Sequence, residues 1–285
     1  MLFTVDPELC KKDGLCVMAC GRRLVEMKDS DTVPTPVAEA QELCINCGHC
    51  VAVCPADAFS HRDIKPDEIS PIRKELRINP DQAEQFLHSR RSIRLYRDKP
   101  VERDKLNKLI ELAGYAPSGH NARCTRFTIA EDPSTVKRLS GIVIDWMRQL
   151  IENSPETAAQ LHLDRIVRFW EDGQDPICRN APHLIIAHAS ESERMGKEDC
   201  IIALAYLELG AHAFGLGATW AGYVMVASQL HPPLTEALNV EEGQKCHGIM
   251  MVGHPKVKFK RLPPRSAPPV TWLNLDETGG PGFRF

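Results

Sequence analysis

The chain has 285 residues, 43% hydrophobic and 26% charged, which is enough to bury one large core or two smaller ones and excludes wholesale disorder. Its formal net charge of −3 gives none of the basic surplus that nucleic-acid binding requires. The charge is uneven, with five Lys or Arg against nine Asp or Glu in residues 1–60.

Residues 1–10 carry neither a basic leader nor an apolar core, so no export signal and a cytoplasmic location are expected. Seven of the 11 cysteines precede residue 55. A dense cluster in a chain without an export signal favours metal or cluster ligation over a disulfide framework. Cys124, Cys178, Cys200 and Cys246 are scattered and are expected to be packed thiols.

Taken in chain order, the first informative pattern is Cys10, Asp13, Cys16 and Cys20, followed by Cys44, Cys47, Cys50 and Cys54 with Pro55 after it. The second set reads Cys-x-x-Cys-x-x-Cys-x-x-x-Cys, and the first repeats that spacing with Asp13 in the second place. Three thiolates on one tight loop can each reach a different iron of a cube, while the fourth, after a turn, points away. Zinc sites draw Cys pairs from separated knuckles, and a third Cys at the same gap suits them poorly. Residues 1–60 thus resemble a two-cluster bacterial-type ferredoxin. The resemblance implies one 4Fe-4S site from Cys44, Cys47, Cys50 and Cys20, and a second cluster on Cys10, Cys16 and Cys54. Three readings of Asp13 stay open: an oxygen ligand to iron, a missing corner that leaves a 3Fe-4S cluster, and a solvated loop acid before Gly14.

Residues 61–80, with Pro66, Pro71 and Pro80, read as a linker, placed at 66–80 between an iron–sulfur domain (1–65) and a second domain (81–265). Leu106, Leu109, Ile110 and Ala113 have helical spacing. Strand-like runs at 127–130, 183–189 and 249–252 alternate with helical segments near 134–152, 155–172 and 200–214. The fold class is therefore α+β, with more helix than strand. The apolar stretch 200–227 contains Glu208 and His212, so it reads as a helix buried in a core or dimer interface and not as a membrane span. Residues 154–180 read as a charged insertion, either a lid or an exposed surface helix. Residues 266–285, dense in Pro and Gly, read as an extended arm.

Four motifs in the second domain bear on its chemistry. Ser89-Arg90-Arg91-Ser92-Ile93-Arg94 places cations and hydroxyls together, suited to gripping phosphate oxygens. Ala116-Pro117-Ser118-Gly119-His120-Asn121 follows a helix end, and Leu216-Gly217-Ala218-Thr219-Trp220-Ala221-Gly222 and Gly253-His254-Pro255 come later. Over residues 81–265 this set resembles the nitroreductase-type flavoproteins. The resemblance implies an FMN-binding α/β sandwich, typically homodimeric, fused here to the ferredoxin-like domain. Arg90, Ser92 and Arg94 would hold the FMN phosphate, with Arg91 nearby and Lys260 and Arg261 returning to it. Pro117, Ser118 and Asn121 would line the ribityl chain and ring edge, and the backbone at Ala221 and Gly222 would face the ring. Tight packing is the competing reading of the 217–222 stretch. Ala122-Arg123-Cys124-Thr125 departs from the family pattern where substrate would stack, and no side chain is assigned as catalytic.

The implied activity is that of an FMN-dependent oxidoreductase. Electrons from an external donor protein or reduced nicotinamide would pass through Fe–S clusters to FMN, then to a small organic acceptor such as a nitroaromatic, quinone or activated alkene. A non-enzymatic electron-transfer subunit, and reductive dehalogenation or flavin breakdown, are the rival readings. No Gly-x-Gly-x-x-Gly turn follows a strand, so a Rossmann dinucleotide site is not expected.

Overall fold

In the computed structural model, which describes residues 1–275 and 281–282, the N-terminal module comprises β1 (Phe3–Val5), α1 (Leu15–Ala19), β2 (Val25–Glu26), β3 (Thr35–Pro36), α2 (Ala40–Leu43), α3 (His49–Ala52) and β4 (Phe59–His61). Antiparallel pairing of β1 with β4 returns the chain to its start, and the Phe3 and Phe59 rings stack with centroids 4.4 Å apart in a small core with Leu24, Val25 and Val51. The two cysteine loops follow the same path. Lys12 (φ 55°) and Gly14 (φ 71°) in the first match Asn46 (φ 50°) and Gly48 (φ 75°) in the second. Each left-handed glycine opens a short helix, α1 or α3, and the left-handed backbone there favours a residue without Cβ. Asp13 consequently occupies the backbone place that Cys47 holds in the second loop.

Two short 3-10 turns, Pro66–Glu68 and Lys74–Leu76, precede the next helix, and residues 70–79 are exposed throughout. That helix, α4 (Pro80–Ser89), is fixed at its start by Asn79 and Gln82, whose side chains and backbone N–H groups bond reciprocally. There follow α5 (Arg103–Ala113), β5 (Arg126–Ala130), α6 (Pro133–Asn153), α7 (Pro155–Gln160), α8 (Leu163–Glu171), β6 (His183–Ser190), α9 (Gly196–Ala213), β7 (Gly217–Trp220), α10 (Gly222–Leu230), α11 (Pro232–Ala237) and β8 (Gln244–Gly253).

The sheet order is β5-β6-β8-β7, antiparallel throughout. Strand β6 is buried along nearly its whole length because both faces are covered. Leu184 and Ile186 enter a core built with α6, α8, α10 and α11, whereas Ile185, Ala187 and Ala189 enter a second core with α5 and α9. Alternate side chains point to opposite faces, so a continuous apolar run becomes the middle of a helix–sheet–helix sandwich.

Two expectations are corrected and a third is narrowed. The stretch 200–227 is a helix, a strand and a second helix, because Gly215 (φ 68°) ends α9 and the chain re-enters the sheet as β7. The expected helix over 155–172 is broken at His162 (φ 52°) into α7 and α8. For 154–180 the lid reading gives way to the surface-helix reading: α8 keeps Asp164, Arg165 and Arg168 exposed, while Leu163, Val167 and Ile177 are buried against the α6 side of the core. Buried Asp175 accepts the N–H groups of Ile177, Cys178 and Asn180, which locks the turn. Residues 266–273 are exposed and irregular, and part of the expected C-terminal arm lies outside the described residues.

Candidate functional site

The thiols sort into two groups. A cavity of about 290 Å³ is lined by Cys20, Cys44, Cys47 and Cys50. A smaller one is lined by Cys10, Asp13, Cys16 and Cys54. Their electrostatics follow the same division. Burial, with a backbone hydrogen bond opposing it and the charges of Cys47 and Cys20 adding to it, pushes the Cys50 thiol up to about 11. Cys16 is raised by burial, with smaller contributions from Cys54 and Cys10. Such thiols need a cation to lose their protons, as iron provides. Among the described residues no three His, Cys, Asp or Glu side chains converge on a single-ion site, and the two thiol sets line cavities. This geometry fits a polynuclear cluster.

Hydrogen bonds tune the two sites differently. Leu24 N–H donates to Cys20 Sγ at 3.2 Å and Lys12 N–H to Cys10 Sγ at 3.4 Å. Sequence reasoning missed His61, which is 2% exposed. Its Nδ1 accepts the Asp63 amide at 3.1 Å, so the proton sits on Nε2, 3.5 Å from Cys44 Sγ. Burial above all holds this imidazole neutral by lowering its pKa. The Asp13 carboxylate accepts the Leu15 N–H at 3.1 Å and so also serves the start of α1.

A third cavity, about 310 Å³, lies between the Arg90 segment and residues 255–259. Arg90, Arg91 and Lys258 supply its cations, and Arg91 stands 5.9 Å from the Phe259 ring centroid. Arg90 Nη1 donates to Glu208 Oε1 at 2.8 Å, which fixes one side of the guanidinium and leaves other N–H groups for a ligand. The segment is held to β7 by Ile93 N–H to Ala218 O (3.0 Å) and to the stretch after β8 by Lys256 N–H to Leu95 O (2.9 Å). Ser92 is half-buried, whereas Arg94, Lys260 and Arg261 are exposed. Arg90 and Arg91 also line a neighbouring cavity with residues 262–265, so Lys260 and Arg261 run between two cavities that share these arginines. A cationic, partly apolar cradle of this kind fits the phosphate end of FMN.

The Pro117-Ser118 loop stands elsewhere. Buried Asp199, another residue the sequence did not reveal, accepts the Gly119 N–H at 3.0 Å and the Cys124 thiol at 3.3 Å. His212, bonded to Ser89, lies thirteen residues further along α9, about 20 Å at the helical rise. Within one chain, therefore, Arg90 and Ser118 do not share a pocket. Asn121 is also engaged away from the cradle: its Nδ2 donates to Ile45 O at 2.9 Å and to Asn46 O at 3.0 Å. The Ala221 N–H is committed to Ile249 O at 2.9 Å, so only Gly222 in that pair can offer a free amide. A Cβ at Gly222 would meet nothing within 4 Å, whereas at Gly217 it would fall 2.6 Å from Ile93. Packing therefore accounts for Gly217, and Gly222 borders open space.

Fold and site together define a flavin-dependent oxidoreductase joined to an iron–sulfur binding module. Residues 87–254 match the model of the nitroreductase family, and residues 40–60 match a 4Fe-4S binding domain. The chain belongs to the nitroreductase family. It is 23% identical over 171 residues to a putative NADH dehydrogenase/NAD(P)H nitroreductase of Archaeoglobus fulgidus, which spans 60% of this chain and 84% of the relative. A 63-residue stretch is 33% identical to a ferredoxin 7Fe of Hydrogenibacillus schlegelii, covering 22% of this chain and 74% of that protein. A nitroreductase from Bacteroides fragilis, solved with bound FMN, shares the fold with a TM-score of 0.55 at 21% identity, covering 69% of this chain and all of that one.

Proposed function

We propose that this chain is an iron–sulfur flavoprotein reductase. Electrons from an external donor would enter the N-terminal module and leave to a small organic acceptor such as a nitroaromatic, quinone or activated alkene. The observation that carries the reading is the pairing, in one chain, of two cysteine-lined cavities with a nitroreductase-family domain. Bound FMN would supply two-electron chemistry from one-electron input. The residues around it bind and orient: Arg90, Arg91, Ser92, Arg94, Lys258, Lys260 and Arg261 answer the phosphate, and the Gly222 N–H faces the ring. Pro117 and Ser118 do not share the Arg90 pocket within one chain, so their proposed contact with FMN would be made across a homodimer. Asn121, committed to the cluster loop, is not assigned to the flavin.

Residues 1–65 would form the iron–sulfur domain, 66–80 the linker, 81–265 the flavin domain and 266–285 the arm. The name of the Hydrogenibacillus relative favours a three-iron cluster at Cys10, Cys16 and Cys54, with Asp13 turned to its own helix. An exposed apolar face of Ile201, Ile202 and Tyr206 on α9 with Tyr223, Val226 and Leu230 on α10 supports a homodimer. No described helix is long and apolar enough to cross a membrane, and we place the protein in the cytoplasm on the reducing environment its thiols need.

Anaerobic purification with iron, sulfide and flavin counts tests the reading: about seven irons per chain and one FMN are expected, and a colourless protein refutes it. A Cys50→Ala variant separates the donors. If reduced nicotinamide still reduces the flavin while a carrier protein no longer does, the module serves the carrier.

A further inference from the structure

Residues 1–69 and 80–275 have separate hydrophobic cores, and among the described residues just two hydrogen bonds join them. Both come from Asn121 Nδ2, to Ile45 O at 2.9 Å and Asn46 O at 3.0 Å. Those carbonyls belong to the two residues between Cys44 and Cys47. The amide's third group is also used, since Arg123 Nε donates to Asn121 Oδ1 at 3.3 Å. That bond sets the amide's orientation, turning both N–H donors toward the cysteine loop. The loop presenting Asn121 is itself fixed: Asp199 accepts the Gly119 N–H, Ser118 Oγ accepts the Arg123 N–H at 3.0 Å, and a Cβ at Gly119 would fall 2.8 Å from Met195. Asn121 has φ 56°, a left-handed conformation that Asn tolerates better than most residues.

We infer that Asn121 is a positioning residue that clasps the 44–47 loop to the flavin domain, making the Cys20, Cys44, Cys47 and Cys50 site the flavin domain's immediate electron-transfer neighbour. What the two sites hold rests on the proposed function; the clasp itself rests on the hydrogen bonds. Its second effect follows from peptide geometry. All peptides among the described residues are trans. In a trans peptide the C=O of one residue and the N–H of the next point in opposite directions. With the Ile45 and Asn46 carbonyls turned to Asn121, the N–H groups of Asn46 and Cys47 are turned away from it, back toward their own module. A hydrogen bond at the carbonyl polarises the peptide, so the clasp both aims these donors and strengthens them beside the Cys44 and Cys47 thiols.

The test uses the full-length, anaerobically prepared protein with Asn121→Asp and Asn121→Gly. Asp keeps the shape and the left-handed tolerance but presents oxygen to two carbonyls, and Gly keeps the backbone without a side chain. Both variants should retain iron and FMN content. Amide hydrogen exchange over residues 45–50 should quicken by about tenfold, the scale of losing two modest hydrogen bonds. The reduction potential of the four-thiolate cluster should shift negative in both. Wild-type exchange and potential in both variants overturn the inference. Loss of FMN with unchanged loop exchange also overturns it and returns Asn121 to the ribityl contact expected from sequence. Wild-type protein lacking iron and flavin would instead defeat the proposed function, while the exchange comparison would still report on the clasp.

Discussion

Gly217 and Gly222 lie five residues apart in one glycine-rich stretch, yet the structure gives them opposite roles. A Cβ on Gly217 would sit 2.6, 2.6 and 2.7 Å from Ile93 Cβ, Cγ1 and Cγ2. Ile93 has little room to yield, because it is β-branched, buried, and tied through its N–H to Ala218 O. Overpacking of this kind costs about 1–3 kcal/mol, and weakening the Ile93 hydrogen bond adds about 1 kcal/mol. For a domain of this size a loss of about 2–4 kcal/mol lowers Tm by roughly 4–16 °C. Gly217→Ala should therefore lower Tm, and it should weaken FMN binding because the displaced Ile93 carries Ser92 and Arg94 with it. Gly222→Ala meets no neighbour, so Tm should stay within about 1 °C, the scale of a neutral surface change. FMN affinity should nevertheless fall, because a methyl group would enter the space in which the backbone meets the ring. Calorimetry of the apoprotein and flavin titration followed by fluorescence read both quantities. An unchanged Tm in Gly217→Ala, or unchanged FMN affinity in Gly222→Ala, would refute this division of labour.

Other outcomes follow from single contacts. His61→Phe keeps the buried volume but removes the Nε2–H from Cys44 Sγ. The reduction potential of the four-thiolate cluster should fall in an EPR-monitored titration, since an N–H donor stabilises the more negative reduced state, and an unmoved potential would count against that bond. Burial, then the Asp199 hydrogen bond and charge, push the Cys124 thiol up to about 12. At pH 8 only about one Cys124 in ten thousand would be thiolate, so iodoacetamide labelling read by peptide mass spectrometry should be slow and should quicken in Asp199→Asn. His61, His183, His212, His247 and His254 all have pKa values lowered chiefly by burial. The unfolded chain binds protons near pH 6.5 and the folded chain only below it. This stabilisation is thus present above about pH 6.5 and lost as pH falls, so Tm should drop between pH 7 and 5.5, and a flat profile would contradict it.

The candidate cysteine ligands were legible because cluster chemistry fixes their spacing along the chain, whereas their sorting is tertiary: Cys20 lines a cavity with Cys44, Cys47 and Cys50, and Cys54 lines one with Cys10 and Cys16. The arginine segment was legible for a related reason, several cations within six residues. Strand β7 was not: four residues between two apolar helices carry too little periodicity to stand out. Asp199 and His61 were missed because a buried acid and a buried imidazole leave no local pattern. Each matters through a partner far away in sequence: Gly119, eighty residues before Asp199, and Cys44, seventeen before His61.

By itself, then, the sequence determined the sandwich and its family, and it singled out the cysteines and cations proposed as ligands, since each is encoded in spacing or alternation over a few residues. The tertiary structure alone decided which glycine is packed and which faces open space, which amide is already spent, and where the two modules meet. Those outcomes depend on contacts between residues distant along the chain. Asn121 shows the difference most plainly: its sequence context pointed to a flavin, and the fold carried its amide to the carbonyls of Ile45 and Asn46.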